Sequence, residues 1–208
     1  MIEIQKIPKV ELHLHLEGAA SPSFIKRMAS KKNVDLSKIF NSQELYRFSN
    51  FKEFLSVYET ATQVLQTPDD FYELTISVLE ECVKNNVVYL ETFISPEFCG
   101  GNDLIAWGDF FAAIKQASND CENKFGIISR GIVTCIRHLG PEVAKKTALC
   151  ASTVNDDWLV GFGMAGDETF GRPKDYAYSF EMAKEAGLKL TCHAGEWGGP
   201  DSVRATIN

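Results

Sequence analysis

His13 and His15 form an H-x-H pair within VELHLHLEG. On a β-strand, residues i and i+2 point to the same face. Glu11, His13, His15 and Glu17 would then share one ionisable face. Val10, Leu12, Leu14 and Leu16 would share an aliphatic face able to pack against helices. A buried ionisable row is costly unless something compensates it. Two imidazoles about 2.0–2.1 Å from one divalent ion do so, and that donor set suits zinc. An exposed edge strand with a polar face fits the same pattern. Gly18 would let the backbone turn sharply at the strand end.

His193 closes LTCH and is followed by Gly195 and Glu196. It reads as a third metal ligand with an acid nearby, or as a structural histidine. On a regular strand Cys192 points away from it, so Cys192 is not assigned as a ligand. Hydrolysis at zinc needs a carboxylate that shuttles protons without binding the metal. Glu196 fits that role. Its alternative is an acid in the first turn of a helix opening near Pro200. Gly161, Gly163 and Gly166 match G-x-G-x-x-G after a strand. A dinucleotide site would need a helix to open there with a pyrophosphate on its N-terminus. Asp167 and Glu168 would repel that anion, and Pro173 delays the helix. A tight loop whose backbone faces a ligand, with Gly166 offering an N–H, is the better reading. His138 either supports the site or sits on a surface loop. Glu91, inside an apolar run, needs a partner.

The elements that position these residues alternate. Strands are predicted over 9–16, 87–95, 127–136, 158–164 and 188–193, with helices over 21–32, 51–66, 67 to about 86, within 103–124, from Gly140-Pro141-Glu142 onward and over 173–186. Thr67 as cap with Pro68 behind it marks one helix start, and Gly140-Pro141 another. Strands alternating with helices imply an α/β fold with a parallel sheet, either an open doubly wound sheet or a (β/α) barrel. Both place their sites at the carboxyl ends of strands. A closed (β/α)8 barrel needs eight strands and about 250 residues, whereas five strands are visible.

The chain has 208 residues, 21 Lys+Arg against 28 Asp+Glu, and a net charge of -7. One domain over residues 1–208 is expected. An acidic chain with no cationic stripe is a poor nucleic-acid binder. No run approaches the ~18 apolar residues of a membrane span. The start shows no basic segment followed by an apolar one, so no signal peptide is expected. The six cysteines form no C-x-x-C pair and read as buried, reduced thiols, which points to the cytoplasm.

PKVELHLHLEG, MAGDE and CHAGE together resemble the adenosine deaminase family of metal-dependent aminohydrolases, in order from Pro8 to about Val203. YLETFISP and IRHLGPE are similar to its bacterial members. The resemblance implies a (β/α)8 barrel of TIM type with one zinc ion per chain, and a hydrolase of purine metabolism and nucleoside salvage. His13, His15 and His193 would be the metal ligands. Glu196 would protonate purine N1 as activated water attacks C6. His15, Glu17 and Gly166 would face the substrate, with the Gly166 N–H on purine N3 and Glu17 toward a ribose 5′-hydroxyl. The implied reaction turns adenosine into inosine and ammonia; adenine or another 6-aminopurine is the alternative, since many members carry Asp at the position of Glu17. The family's later motifs, including an aspartate zinc ligand, do not occur. The chain is therefore expected to stop after about five β/α units and to be nearly inactive alone. An inactive remnant with partial metal binding is a further alternative. The H-x-E and P-C-x-x-C signature of the cytidine-type zinc deaminases is absent.

Overall fold

A computed structural model describes residues 3–207. Five strands, β1 (Lys9–His15), β2 (Val87–Ile94), β3 (Ile128–Ile136), β4 (Leu159–Ala165) and β5 (Lys189–Leu190), form one sheet in chain order. Between and after them run α1 (Pro22–Lys32), α2 (Phe51–Thr62), α3 (Pro68–Lys84), α4 (Leu104–Phe125), α5 (Pro141–Ser152), α6 (Ala177–Glu185) and α7 (Gly199–Ile207). The α/β alternation and the parallel sheet are as the sequence predicts. The chain divides into two compact units: Met1–Leu90 with Phe110–Ser129, and Glu91–Asp109 with Arg130–Asn208.

In the first unit the helix starts follow local chemistry. Ser21 accepts the Phe24 N–H and opens α1, with Pro22 in the first turn. Asn50 caps α2 by accepting from Glu53. Thr67 and Asp70 form a reciprocal capping box at the start of α3, which satisfies two otherwise orphaned N–H groups. Asn85 ends that helix, and Asn86 follows with φ 58°. Leu79, Leu90, Cys121 and Ile127 form a buried cluster, with Leu14, Ile76, Cys82, Val83 and Val87 packed on it. Lys32 pairs with Asp70, and Arg27 and Lys31 both reach Glu73 at 2.7 and 3.0 Å. The Asp70 carboxyl lies below the usual carboxylate range: burial pushes it up, but donation from Lys32 and from the Gln66 and Thr67 backbone outweighs burial.

The aliphatic row of β1 departs from expectation. Leu16 is buried, but Val10 and Leu12 are 61% and 53% exposed. Only the carboxyl half of the row meets packing partners. The strand also stops at His15, and Leu16 turns into helical backbone at φ -56° and ψ -50°. Glu17 therefore starts a short 3-10 turn and does not extend the strand face of His13 and His15.

In the second unit β3 and β4 pair in parallel, from Ile132 opposite Gly161 to Ile136 opposite Ala165. That register places the turn at Arg137 beside the turn at Gly166. Gly161 and Gly163 lie inside β4, and the next helical turn waits until Pro173–Tyr176. No helix opens at the glycines, so the dinucleotide reading fails on geometry. The predicted helix over 173–186 is that 3-10 turn followed by α6. The predicted strand over 188–193 is regular for two residues only. β5 pairs with β4 alone, yet Thr191 and His193 still donate backbone N–H groups to Phe162 and Met164 at 3.0 Å. Trp107 is fully buried and donates its indole N–H to Cys150 at 3.0 Å. Phe162 packs edge-on to Phe180 at 5.2 Å.

Candidate active site

The first unit brings His13 and His15 together. Both leave the same face of β1, and their ring centroids are 5.4 Å apart with planes tilted by 56°. His13 is exposed and His15 half-buried. Glu11, on the same face, turns back onto its own strand, where it accepts the His13 N–H at 3.0 Å. Glu17 is buried at 3% exposure and accepts a hydrogen bond from the Tyr58 hydroxyl at 3.1 Å. It lines a small cleft together with Tyr46, Phe48, Phe54, Val57 and Tyr58. Tyr46 donates to the Ala20 carbonyl at 2.9 Å, and burial pushes its hydroxyl up to about 12. Tyr46 is therefore a fixed, neutral donor, while Tyr58 holds the carboxylate. Gly18 has no left-handed backbone. A side chain there would meet the Tyr58 ring at 2.6 Å, so close approach rather than a sharp turn explains the glycine.

The second unit holds His193, Glu196, Gly166 and His138. The His193 ring Nδ1 lies 2.8 Å from the Met164 carbonyl oxygen. A carbonyl only accepts, so in the neutral ring Nδ1 carries the proton and Nε2 is the acceptor. That is the tautomer a metal ligand needs, with its second nitrogen anchored on backbone. Phe93 packs edge-on against this ring at 5.8 Å. An imidazole anchored in this way is a donor that suits zinc. Burial pushes the Cys192 thiol up to about 11.

Gly166 sits at φ +97°. A side chain there would fall 2.8 Å from His138 Nδ1 and 3.2 Å from the Arg137 nitrogen. His138 Nδ1 accepts the Asp167 N–H at 3.2 Å. His138 is thus a half-buried part of the Gly166 turn rather than a surface residue. Arg137, also unforeseen, donates through Nε to Phe170 at 2.6 Å and through Nη2 to Gly171 at 3.2 Å, which pins the loop beyond Gly166.

Glu196 is exposed, three residues past His193 and ahead of α7. Its neighbours are not free. Glu168, 8% exposed, accepts N–H groups from Gly195, Trp197 and Gly198 at 2.6, 2.7 and 2.9 Å and a hydroxyl from Ser202. Burial opposes its ionisation, but Ser202 and the three amides hold the carboxyl down at about 2. The sequence reading took Glu168 only as a charge that disfavours a phosphate. An acid just past a buried strand and a tight glycine turn was the available signal. Tyr58 and the aromatic cleft had none beyond helical spacing.

Residues 8–208 match the family model described as "Adenosine deaminase". The chain belongs to the adenosine deaminase family. The deaminase motifs quoted above fall within the matched span. A curated relative, adenine deaminase of Chelativorans sp., is 39% identical over 202 residues, covering 96% of this chain and 61% of its own length. A crystal structure of adenine deaminase from Arthrobacter aurescens superposes with a TM-score of 0.84 at 25% identity, over 97% of this chain and 62% of that one. An amidohydrolase from Burkholderia ambifaria with bound zinc superposes with a TM-score of 0.85 at 26% identity, over 99% and 57%. The chain thus spans about 61% of the length of the curated relative. No helix among the described residues is long and apolar enough to cross a membrane.

Proposed function

We propose that this member of the adenosine deaminase family hydrolyses the exocyclic amine of a 6-aminopurine, with adenine as its preferred substrate and one zinc ion held by His13, His15 and His193. The observation that carries the reading is the donor set. Each histidine offers one ring nitrogen, and the tautomer of His193 is fixed by Met164. Bound zinc would supply Lewis acidity, enough to make water a nucleophile near neutral pH. Glu196 takes a proton from the attacking water and delivers it to purine N1. The new C6–O bond and the protonated N1 make C6 tetrahedral. The proton of the new C6 hydroxyl then passes by way of Glu196 to the amine; C6=O forms as the C6–N bond breaks, releasing ammonia and the 6-oxopurine, which keeps its proton on N1. The Gly166 N–H holds purine N3, and His15 flanks the base. Glu17, with Tyr58 beside it, accepts a donor from the far side of the substrate.

A buried carboxylate accepts an N–H of a free base or a hydroxyl of ribose alike, so Glu17 alone does not choose between adenine and adenosine. The curated relative named above carries the name adenine deaminase, which weighs toward the free base. The six cysteines form no disulfide, which fits a reducing, cytoplasmic setting. The test is ammonia release from adenine, adenosine and N6-substituted adenine nucleotides side by side, by a zinc-loaded protein that carries this chain at the full length of its curated relatives. The expected result is the highest kcat/KM for adenine. A higher value for adenosine would return the assignment to the nucleoside, and no ammonia from any of them would overturn it.

A further inference from the structure

We infer that Glu168 is a positioning residue that clamps the loop carrying Glu196. The inference rests on the reading of Glu196 as the proton shuttle. Four donors converge on one carboxylate. Oε1 takes the Gly195 N–H at 2.6 Å and the Ser202 hydroxyl; Oε2 takes the Trp197 N–H at 2.7 Å and the Gly198 N–H at 2.9 Å. An ionised carboxylate offers about four acceptor sites and no donor, so this arrangement uses its capacity in full. The amides on both sides of residue 196 point at the same buried group, while Glu196 itself is exposed. An exposed glutamate on an untethered loop would sample many positions. Proton transfer requires a group held within hydrogen-bond reach of the proton it moves. Glu168 supplies the restraint through backbone, leaving the Glu196 side chain unencumbered. Ser202 lies in α7, so the same carboxylate ties the helix that follows the loop.

The clamp needs an acceptor at both oxygens. A glutamine at position 168 keeps the shape but turns an NH₂ toward two of the four donors in either flip. An aspartate keeps the charge but is one methylene too short.

The experiment compares wild type with Glu168→Gln, Glu168→Asp and Ser202→Ala. Amide hydrogen exchange is read at Gly195, Trp197 and Gly198, with Val133 and Cys135 in β3 as a fold control. Exchange at the three loop amides should quicken about tenfold or more in Glu168→Gln, less in Glu168→Asp and least in Ser202→Ala, while β3 stays protected. Zinc content should not change. In the deamination assay, Glu168→Gln should lose about 10²-fold in kcat with KM within about threefold, because substrate contacts remain while the shuttle is misplaced. Loop amides that stay protected in Glu168→Gln would overturn the clamp, as would a loss confined to KM. Should Glu168→Gln fail to fold, Ser202→Ala carries the test: unchanged loop exchange there overturns the inference. A wild type that releases no ammonia would sink the deaminase reading, and the exchange readout would still decide whether Glu168 holds the loop.

Discussion

β1 carries its chemistry on regular backbone: period two alone puts His13 and His15 on one face, 5.4 Å apart between ring centroids. Loop 195–198 has no such lattice. β5 is regular for two residues, and order beyond it comes from Met164 at His193 and from Glu168 at three amides. A strand holds its functional groups through its own geometry, whereas a loop borrows a remote buried charge. The first arrangement tolerates change in the neighbours and the second does not.

The contrast can be broken most forcefully at Glu196, the proposed shuttle. Glu196→Gln should cut deamination by about 10²–10⁴ in an ammonia-release assay while zinc content stays at the wild-type level. A variant within tenfold of wild type would move the proton transfer elsewhere.

A pair of glycine substitutions sharpens the comparison. Gly195 sits at φ +82°, and a Cβ there would meet Val203 at 2.6 Å. Gly195→Ala should cost about 1–3 kcal/mol in denaturant unfolding, from backbone strain plus overlap. Gly18→Ala should cost about 1 kcal/mol, because the Tyr58 ring can swing aside at the expense of its hydrogen bond to Glu17. Equal costs would contradict the difference in construction.

Acid gives the subtlest separation. Glu168 has a folded pKa of about 2, against a glutamate value of 4.5 for the free side chain. Its folded value is depressed, so its contribution is present above the free value and is lost as pH falls from there toward about 2. Protection of the Gly195 amide should therefore hold at pH 5 and fade across that window. Fading that begins near pH 6 would mean that a different group holds the loop.

Much of the architecture was legible because its signals are local. Thr67-Pro68 and Asn85-Asn86 bracket α3 through capping and left-handed backbone, and Pro141 opens α5. The five strands showed as apolar runs between such boundaries. The misreadings share a cause in tertiary contact. Glu17 left the strand face because Leu16 adopts helical backbone, and alternation in the sequence does not announce that turn. Val10 and Leu12 look like a packing face by period but are more than half exposed. Glu168 looked like a repulsive charge, since its four donors lie about thirty residues ahead and converge only on folding. The histidines and Glu196 stand out by type and spacing; the carboxylate that accepts the amides around Glu196 does not.

Metal content of the purified protein is the most direct test of the central claim, that His13, His15 and His193 hold one ion. Native mass spectrometry after zinc loading should give about one zinc per chain in wild type, with loss in His13→Ala, His15→Ala and His193→Ala alike. Full zinc occupancy in any one of these variants, or none in wild type, would contradict it.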